Sequence, residues 1–259
     1  MLFKKKENHA DDARMELTEH LGELRARIIR IILYIFGGAI LTYNLFKPIY
    51  AFLFYPMEII MRQHKAEGWS LRFTTFTEPF FVVLKIAIVA GMIIVAPLLI
   101  LEVWGFISPA LTKEEKKPIR YLAPLAVTLF ISGVALAYWV AKYAIMWFAS
   151  YVGWFPHAVL LQDPETFVMF MLKMMGVFGL VFELPIFLLF LAWIGILTSD
   201  MMIKSWKYAV LIITVIGVIV TPSNDLFTMT VMIFPVILLY LGSIWLVKLV
   251  EKYRKAHMP

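Results

Sequence analysis

The sequence contains no cysteine and few charged residues, and both absences narrow the kinds of protein that it can encode. Without cysteine, neither disulfide bonds nor thiolate chemistry is possible. Charged residues make up only 16% of the 259 positions, well below the usage of soluble domains. The hydrophobic fraction of 62% and the mean hydropathy of +0.83 lie correspondingly high. This composition indicates an integral membrane protein.

Recognisable catalytic and metal-binding patterns are missing as well. No GxSxG, HExxH or glycine-rich phosphate loop occurs in the sequence. The five histidines lie outside the hydrophobic stretches, and none has a partner at the spacing of metal ligands. No internal repeat and no removable signal peptide are apparent. We therefore expect no catalytic residue, no metal site and no cofactor, and a protein that is not an enzyme.

Six hydrophobic stretches approach the length of about 20 residues that a helix needs to cross a bilayer. They predict an all-α, polytopic membrane protein with six transmembrane helices in one domain, residues 28–247. The predicted spans cover about residues 28–46, 80–102, 119–141, 167–191, 206–220 and 226–247. A cytoplasmic amphipathic segment, 1–27, precedes this domain, and a cytoplasmic basic tail, 248–259, follows it. The fifth span covers only about 22 Å, which favours local thinning of the bilayer or burial among other helices.

Prolines inside the predicted spans indicate bent helices, because each removes a backbone hydrogen bond. These prolines are Pro97, Pro124, Pro185 and Pro235. Pro79 instead opens the second span, where its missing N–H costs nothing. Several bent helices predict a concave bundle rather than a straight one.

The distribution of Lys and Arg predicts the orientation, since short cytoplasmic loops collect these residues. With the N-terminus inside, the inner segments hold seven in 1–30, four in 103–120, Lys204, Lys207 and four in 248–259. The outer segments hold four in 47–77 and none in 143–166 or 221–225. Both termini are therefore predicted to be cytoplasmic. The positive net charge is then mainly a topological signal, with attraction to the lipid bilayer second, and no nucleic-acid partner is expected.

Acidic residues near the predicted cytoplasmic face have two interpretations each. Glu23 and Arg27 are spaced for an i, i+4 contact on an amphipathic helix, which would stabilise that helix modestly. Glu114 and Glu115 lie among lysines in the first inner loop, where they are either solvated or receive a cation. The residues alone leave these alternatives open.

Glu183 lies inside the fourth predicted span, about 6 Å into its cytoplasmic half. An ionised carboxylate at this depth costs at least about 2.5 to 3.5 kcal/mol, so the group is neutral or faces a polar partner or water. An interhelical hydrogen bond and a functional polar site both fit. Elsewhere, the outer loop 47–77 is rich in aromatic residues and predicts a surface cap with a short helix at 49–63. Asp225, in TPSND, is placed to cap the sixth helix.

Several motifs together resemble one family, the TatC component of the twin-arginine protein translocase. They are EHLGELRARI, TEPFF, APLLILEVWGFISPALTKEEKK, FELP and TPSND, and the resemblance runs from Leu17 to about Val247. The last motif is one residue longer than in some members. The resemblance implies a receptor in the bacterial cytoplasmic (inner) membrane that binds twin-arginine signal peptides of folded cargo proteins. Its implied partners are single-span TatA- and TatB-type subunits and other TatC copies, with transport driven by the protonmotive force.

The resemblance also implies roles for individual residues. Two carboxylates exposed at the cytoplasmic face, Glu23 and Glu115, would receive the arginines. The other residues implied in signal-peptide binding are Arg25, Phe106, Pro109, Leu111, Lys116 and Lys117. Glu183 with Pro185 would form the intramembrane polar site that contacts partners. Further positions in family motifs are Pro56, Glu78, Pro79 and Asp225.

Two other classes of protein are alternatives. A proton-coupled secondary transporter of a small solute would use Glu183 as proton carrier, but such folds usually show inverted repeats. A membrane-embedded enzyme would need a nucleophile and a base facing each other. Ser132 and Ser243 lie in predicted spans, yet no histidine does. A peptide that binds with paired arginines, and no longer binds when they are exchanged for lysines, would favour the translocase over both alternatives.

Overall fold

The computed structural model describes residues 17–63, 70–107, 113–155, 159–220 and 226–257. These residues are almost entirely helical, with one pair of very short strands. The helices are α1 (Leu17–Asn44), α2 (Phe46–Gln63), α3 (Glu78–Ile107), α4 (Lys113–Val152), α5 (Pro164–Val181), α6 (Leu184–Trp193), α7 (Ser199–Lys204), α8 (Trp206–Val220) and α9 (Leu226–His257). The strands are β1 (Ser70–Leu71) and β2 (Leu161–Gln162), which pair in parallel. The prediction of an all-α protein is confirmed.

Four of the described stretches are long and apolar enough to cross a membrane by themselves. They are Glu78–Ile107, Leu122–Val152, Pro164–Trp193 and Met229–Arg254. The segments Leu21–Asn44 and Phe46–Gln63 meet the same criterion together, across a bend of 79°. The fifth predicted span is the shorter apolar helix α8, of 15 residues. All six predicted spans fall largely or wholly on helices, and a crossing by α1 alone and by α8 stays a prediction.

Two boundaries differ from the sequence prediction. The third span was predicted to end at 141, but α4 continues to Val152. Lys142, just past the predicted end, lies within α4, and its amine is 5.9 Å from the centres of the Tyr55 and Tyr143 rings. The fourth span was predicted as one helix over 167–191, whereas α5 ends at Val181 and α6 begins at Leu184. Pro185, in the first turn of α6, explains this break because it cannot donate a backbone hydrogen bond.

Helices α1 and α3 pack closely through two glycines. A Cβ atom on Gly38 would lie 2.8 Å from the carbonyl oxygen of Gly91, and one on Gly91 would lie 2.7 Å from the backbone nitrogen of Ala39. Small residues of this kind let helix backbones approach each other in membrane proteins. The contact fixes the position of α1 along α3.

The main core forms where α2, α3, α4 and α5 meet. Its nearly inaccessible side chains include Leu53, Ile86, Met171, Leu172 and Phe178. A second apolar cluster joins α6, α7 and α9 around Met202 and Tyr240, where the Tyr240 hydroxyl donates a hydrogen bond to the carbonyl oxygen of Met202 at 3.1 Å. Large apolar side chains along α8 are exposed, among them Leu211, Ile212 and Val215. Such an outer surface is suited to contact with lipid rather than water.

The segments that precede α3 and α5 are held together at one end of the bundle. Ser70 pairs with Leu161 and Leu71 with Gln162. Lys85 on α3 also forms an ion pair with Glu165 on α5. By the predicted orientation this is the outer end.

Asp163 caps the N-terminus of α5 at the same end. Its carboxylate accepts hydrogen bonds from the backbone N–H groups of Glu165, at 3.0 Å, and Thr166, at 3.1 Å, and from the Thr166 hydroxyl. Burial would raise the pKa of Asp163, but these hydrogen bonds lower the pKa below its ordinary value. The charged form of Asp163 therefore stabilises the folded protein.

Removal of this cap tests its contribution. Asp163→Ala is expected to cost about 0.5 to 2 kcal/mol of stability because two backbone donors lose their acceptor, measured as a lower Tm in detergent at pH 7. Because the pKa is depressed, the advantage of the wild type is complete above the ordinary value of 3.8 and declines as the pH falls through the lowered pKa. Asp163→Asn keeps a capping oxygen and is the control. Equal Tm values for wild type and Asp163→Ala would contradict this role.

Candidate functional site

Two acidic and two basic side chains meet between α1 and α3 near the end of α3. We call this group the inner charge cluster; it consists of Glu23, Arg27, Arg30 and Glu102. Successive turns of α1 supply the first three residues, and α3 supplies Glu102 about 7 Å before its end at Ile107. By the predicted orientation the cluster lies on the cytoplasmic side.

Arg27 lies between the two carboxylates. Its Nε donates to Oε1 of Glu23 at 3.0 Å, and its Nη2 contacts the same oxygen. Its Nη1 donates to Oε2 of Glu102 at 2.9 Å and to the carbonyl oxygen of Glu102 at 3.2 Å. The guanidinium lies against Gly105, where any Cβ atom would overlap it. Because Gly105 has no side chain, the surface of α3 leaves room there for the Arg27 guanidinium.

Glu102 is the most heavily hydrogen-bonded carboxylate of the cluster. Besides Arg27, it receives both arms of Arg30, from Nε to Oε1 at 2.9 Å and from Nη2 to Oε2 at 3.0 Å. The Tyr34 hydroxyl lies 3.4 Å from Oε1. This two-pronged geometry is the strong form of a guanidinium–carboxylate interaction. Glu102 thus binds both arginines at once.

Glu23 differs from Glu102 because only one of its oxygens is used. Oε1 accepts from Arg27, while Oε2 is buried and has no hydrogen-bond partner among the described residues. The Glu23 side chain is 18% exposed, which differs from the freely exposed carboxylate implied by the resemblance. Because this oxygen is buried, a further donor can reach it only if a neighbouring side chain moves.

The remaining residues implied in signal-peptide binding are only partly described. Arg25 is exposed on α1, and Phe106 is half-buried near the end of α3. Pro109 and Leu111 lie outside the described residues, as does the expected cap Asp225. The backbone of residues 115–117 belongs to the first turns of α4, but their side chains lie outside the description. The grouping of Glu115 with Glu23 therefore stays a prediction.

Glu183 lies in the two-residue break between α5 and α6. Its carbonyl oxygen accepts from the N–H of Phe187 at 3.0 Å, yet its side chain caps nothing, although it precedes the first residue of α6. Its Oε1 is buried and has no hydrogen-bond partner among the described residues. Pro185 beside it is buried. The helix break thus presents a half-buried carboxyl group within an apolar span.

The other family-motif residues have local structural contacts. Pro56 is buried inside α2, and Glu78 is the first residue of α3. The Glu78 carboxylate accepts from the backbone N–H groups of Thr74 and Thr75, the latter at 3.1 Å. Pro79 follows as the second residue of α3, as predicted. These contacts order the turn that enters α3.

A cavity of about 760 Å³ lies at the opposite end of the molecule from the inner charge cluster. It is lined mainly by apolar side chains of α4 and α5, such as Phe148 and Phe170, and its polar lining includes Asp163, Glu165 and Lys173. The inner charge cluster contributes no residue to it. Among the described residues, no group of three His, Cys, Asp or Glu side chains is arranged to hold a metal ion.

The sequence interpretation assigned no role to Glu102, although it had a usable signal. Glu102 is the last residue of the second predicted span, and a carboxylate at the edge of the hydrocarbon is more stable with a charged partner. What the sequence could not supply is which arginine of α1 lies opposite. That register depends on the contact between Gly38 and Gly91.

Apolar membrane-length helices, an apolar outer surface and a charge cluster at one end define a polytopic, all-α membrane protein. The model of the family Sec-independent protein translocase protein (TatC) matches residues 19–235. The chain therefore belongs to the TatC family.

Similar proteins occur in bacteria and in chloroplasts. The chain is 31% identical over 242 residues to the Sec-independent protein translocase protein TatC of Carboxydothermus hydrogenoformans, covering 93% of this chain and 96% of that one. It is 33% identical over 253 residues to the chloroplastic TATC protein of Arabidopsis thaliana, covering 96% and 71% of the two chains. The crystal structure of a Twin Arginine Translocase Receptor, TatC, has a TM-score of 0.74 at 31% identity, covering 89% of this chain and 99% of that one.

Proposed function

We propose that this chain is the signal-peptide receptor and core subunit of a twin-arginine translocase. It binds paired-arginine signal peptides of folded proteins on the cytoplasmic side of a bacterial inner membrane. It also helps to assemble the translocation site with single-span TatA- and TatB-type subunits and further TatC copies, driven by the protonmotive force. It performs no chemical reaction of its own. Membership in a family of protein translocases favours this function over transport of a small solute.

The observation that carries the proposal is the buried Oε2 of Glu23, which has no hydrogen-bond partner among the described residues. A guanidinium offers a planar fork of donors, so a carboxylate with an unused oxygen binds arginine in a directed way that an ammonium cannot reproduce. The inner charge cluster already binds two guanidinium groups in this way, at Glu23 and Glu102. The site is therefore chemically suited to recognise arginine side chains.

Two carboxylates cannot supply the whole affinity. A shielded hydrogen bond to a charged group contributes about 1.5 to 3 kcal/mol and an exposed ion pair only about 0 to 1 kcal/mol, because solvent screens exposed charges. The hydrophobic part of the signal peptide is expected to add apolar contact with the membrane-embedded helices. Glu115, in the first turn of α4, is the second proposed receptor. Glu183, in the break between α5 and α6, is the proposed contact for partner subunits or inserted peptide.

The direct test measures contact and affinity together. A photoreactive residue at position 115 is expected to crosslink a twin-arginine peptide in native membranes, and not its twin-lysine counterpart. Glu23→Ala and Glu115→Ala are each expected to weaken binding of the arginine peptide about tenfold or more, since each removes a charged hydrogen-bond acceptor. Glu114→Ala, at the neighbouring acid, is the matched control and retains binding. Equal affinity for the arginine and lysine peptides, or full binding after loss of both Glu23 and Glu115, would refute the proposal.

A further inference from the structure

The inner charge cluster contains an internal competitor for Glu23. Arg27 already occupies Oε1 of Glu23 through Nε and Nη2. It uses the same type of group, a guanidinium, that the proposed peptide brings. How firmly Arg27 holds Glu23 therefore decides how much of that carboxylate is left for an incoming arginine.

Glu102 competes with Glu23 for the guanidinium of Arg27. Its carboxylate binds Nη1 of Arg27 at 2.9 Å and accepts both arms of Arg30. Glu102 is only 13% exposed, so water screens these contacts weakly. With Glu102 charged, two acids balance two arginines. Without the charge of Glu102, Glu23 is the one acidic partner within the cluster for both arginines. The cluster as a whole then carries one excess positive charge.

We propose that Glu102 is a specificity-determining positioning residue, which draws Arg27 and Arg30 to itself and so keeps Glu23 available to arginines of a bound peptide. This inference rests on the proposed function. Glu102 acts through Arg27 and does not contact the peptide. Oε2 of Glu23 is buried and has no hydrogen-bond partner among the described residues, so an incoming arginine would reach it once the guanidinium of Arg27 moves aside.

A charge-rescue experiment tests the inference. In the full-length protein in detergent, Glu102→Gln is expected to weaken binding of a twin-arginine peptide about tenfold, because Arg27 turns to Glu23 and the added positive charge repels the peptide. Glu102→Gln combined with Arg27→Gln restores the charge balance and is expected to bind within about threefold of the wild type. Arg27→Gln alone is expected to bind at least as tightly as the wild type.

The rescue separates this role from a purely structural one. If Glu102 served only to hold α1 against α3, the double variant would lose two sets of contacts and bind no better than the single one. The Tm of each variant shows that it is folded. Glu58→Gln is the control, because Glu58 also pairs with an arginine one turn away, Arg62 at 2.6 Å, on a different helix.

Each outcome bears on a different statement. Wild-type affinity in Glu102→Gln, or a double variant no better than the single one, would overturn the inference while the proposed function stands. A wild-type protein that binds twin-lysine peptide as tightly as twin-arginine peptide would overturn both. Weak binding by Glu102→Gln with recovery in the double variant would support the inference.

Discussion

Gly38→Val is expected to destabilise the protein by about 3 kcal/mol, the upper part of the usual range for overpacking. A Cβ atom at this position would lie 2.7 Å from Cγ1 of Val95 and 2.8 Å from the carbonyl oxygen of Gly91. The side chain of Val95 could rotate away from the new Cβ atom, but the backbone of α3 at Gly91 could not. Helix α1 would have to move outward along its contact with α3, and Arg27 would lose its register with Glu102.

The neighbouring glycine provides a matched control. A Cβ atom on Gly37 would have no heavy atom within 4 Å, so Gly37→Val changes helix propensity without changing packing. Thermal unfolding in detergent should show a markedly lower Tm for Gly38→Val and a nearly unchanged one for Gly37→Val. Twin-arginine peptide binding should follow the same order. Similar Tm values for the two variants would mean that the contact between α1 and α3 does not limit stability.

Glu183→Leu is expected to raise the stability of the protein while lowering transport about tenfold or more, because it removes the polar group that we propose contacts partner subunits or inserted peptide. The carboxyl group has one buried oxygen without a partner among the described residues, and leaving such a group unpaired costs about 1 to 3 kcal/mol. Leucine has a similar size and removes that cost. A residue that lowers stability in its own protein is better explained by function than by packing.

Opposite changes in two measurements distinguish the roles of Glu183. Tm in detergent measures the stability, and protonmotive-force-driven transport of a folded cargo into membrane vesicles measures the function. A lower Tm in Glu183→Leu would indicate a structural hydrogen bond instead. Glu183→Gln keeps the size and polarity but cannot ionise. Full transport by Glu183→Gln would exclude a change of protonation at this residue during the cycle.

Hydropathy predicted where the long helices lie, because bilayer thickness sets the length of an apolar helix that crosses it. The predicted stretch 80–102 lies within α3, and 226–247 lies within α9. Pro185 correctly indicated an interruption in the fourth span, although the prediction was a bend rather than a gap of two residues. The third predicted span ended at 141, whereas helix α4 continues to Val152.

Contacts between helices were harder to predict from the sequence. Glu23 and Arg27 are four residues apart, so their pairing follows from helix geometry. The pairs between Arg27 and Glu102 and between Lys85 and Glu165 join residues 75 and 80 positions apart. One sequence gives no information on which faces of two helices meet. Of the inner charge cluster, the pair of Glu23 and Arg27 was therefore predicted, whereas Arg30 and Glu102 were not.

The strand pair β1 and β2 has a mechanical consequence for the helices that follow it. Backbone hydrogen bonds join Ser70 to Leu160 at 3.2 Å and Arg72 to Gln162 at 3.1 Å, and Lys85 and Glu165 add an ion pair nearby. These links hold the first turns of α3 and α5 together. If the two helices tilt relative to each other, their separation therefore changes most at their far ends. On a lever about 45 Å long, a tilt of about 10° moves the tip of α3 by about 8 Å. A small tilt of α3 about the end that carries β1 and β2 would thus produce a large displacement near Glu102.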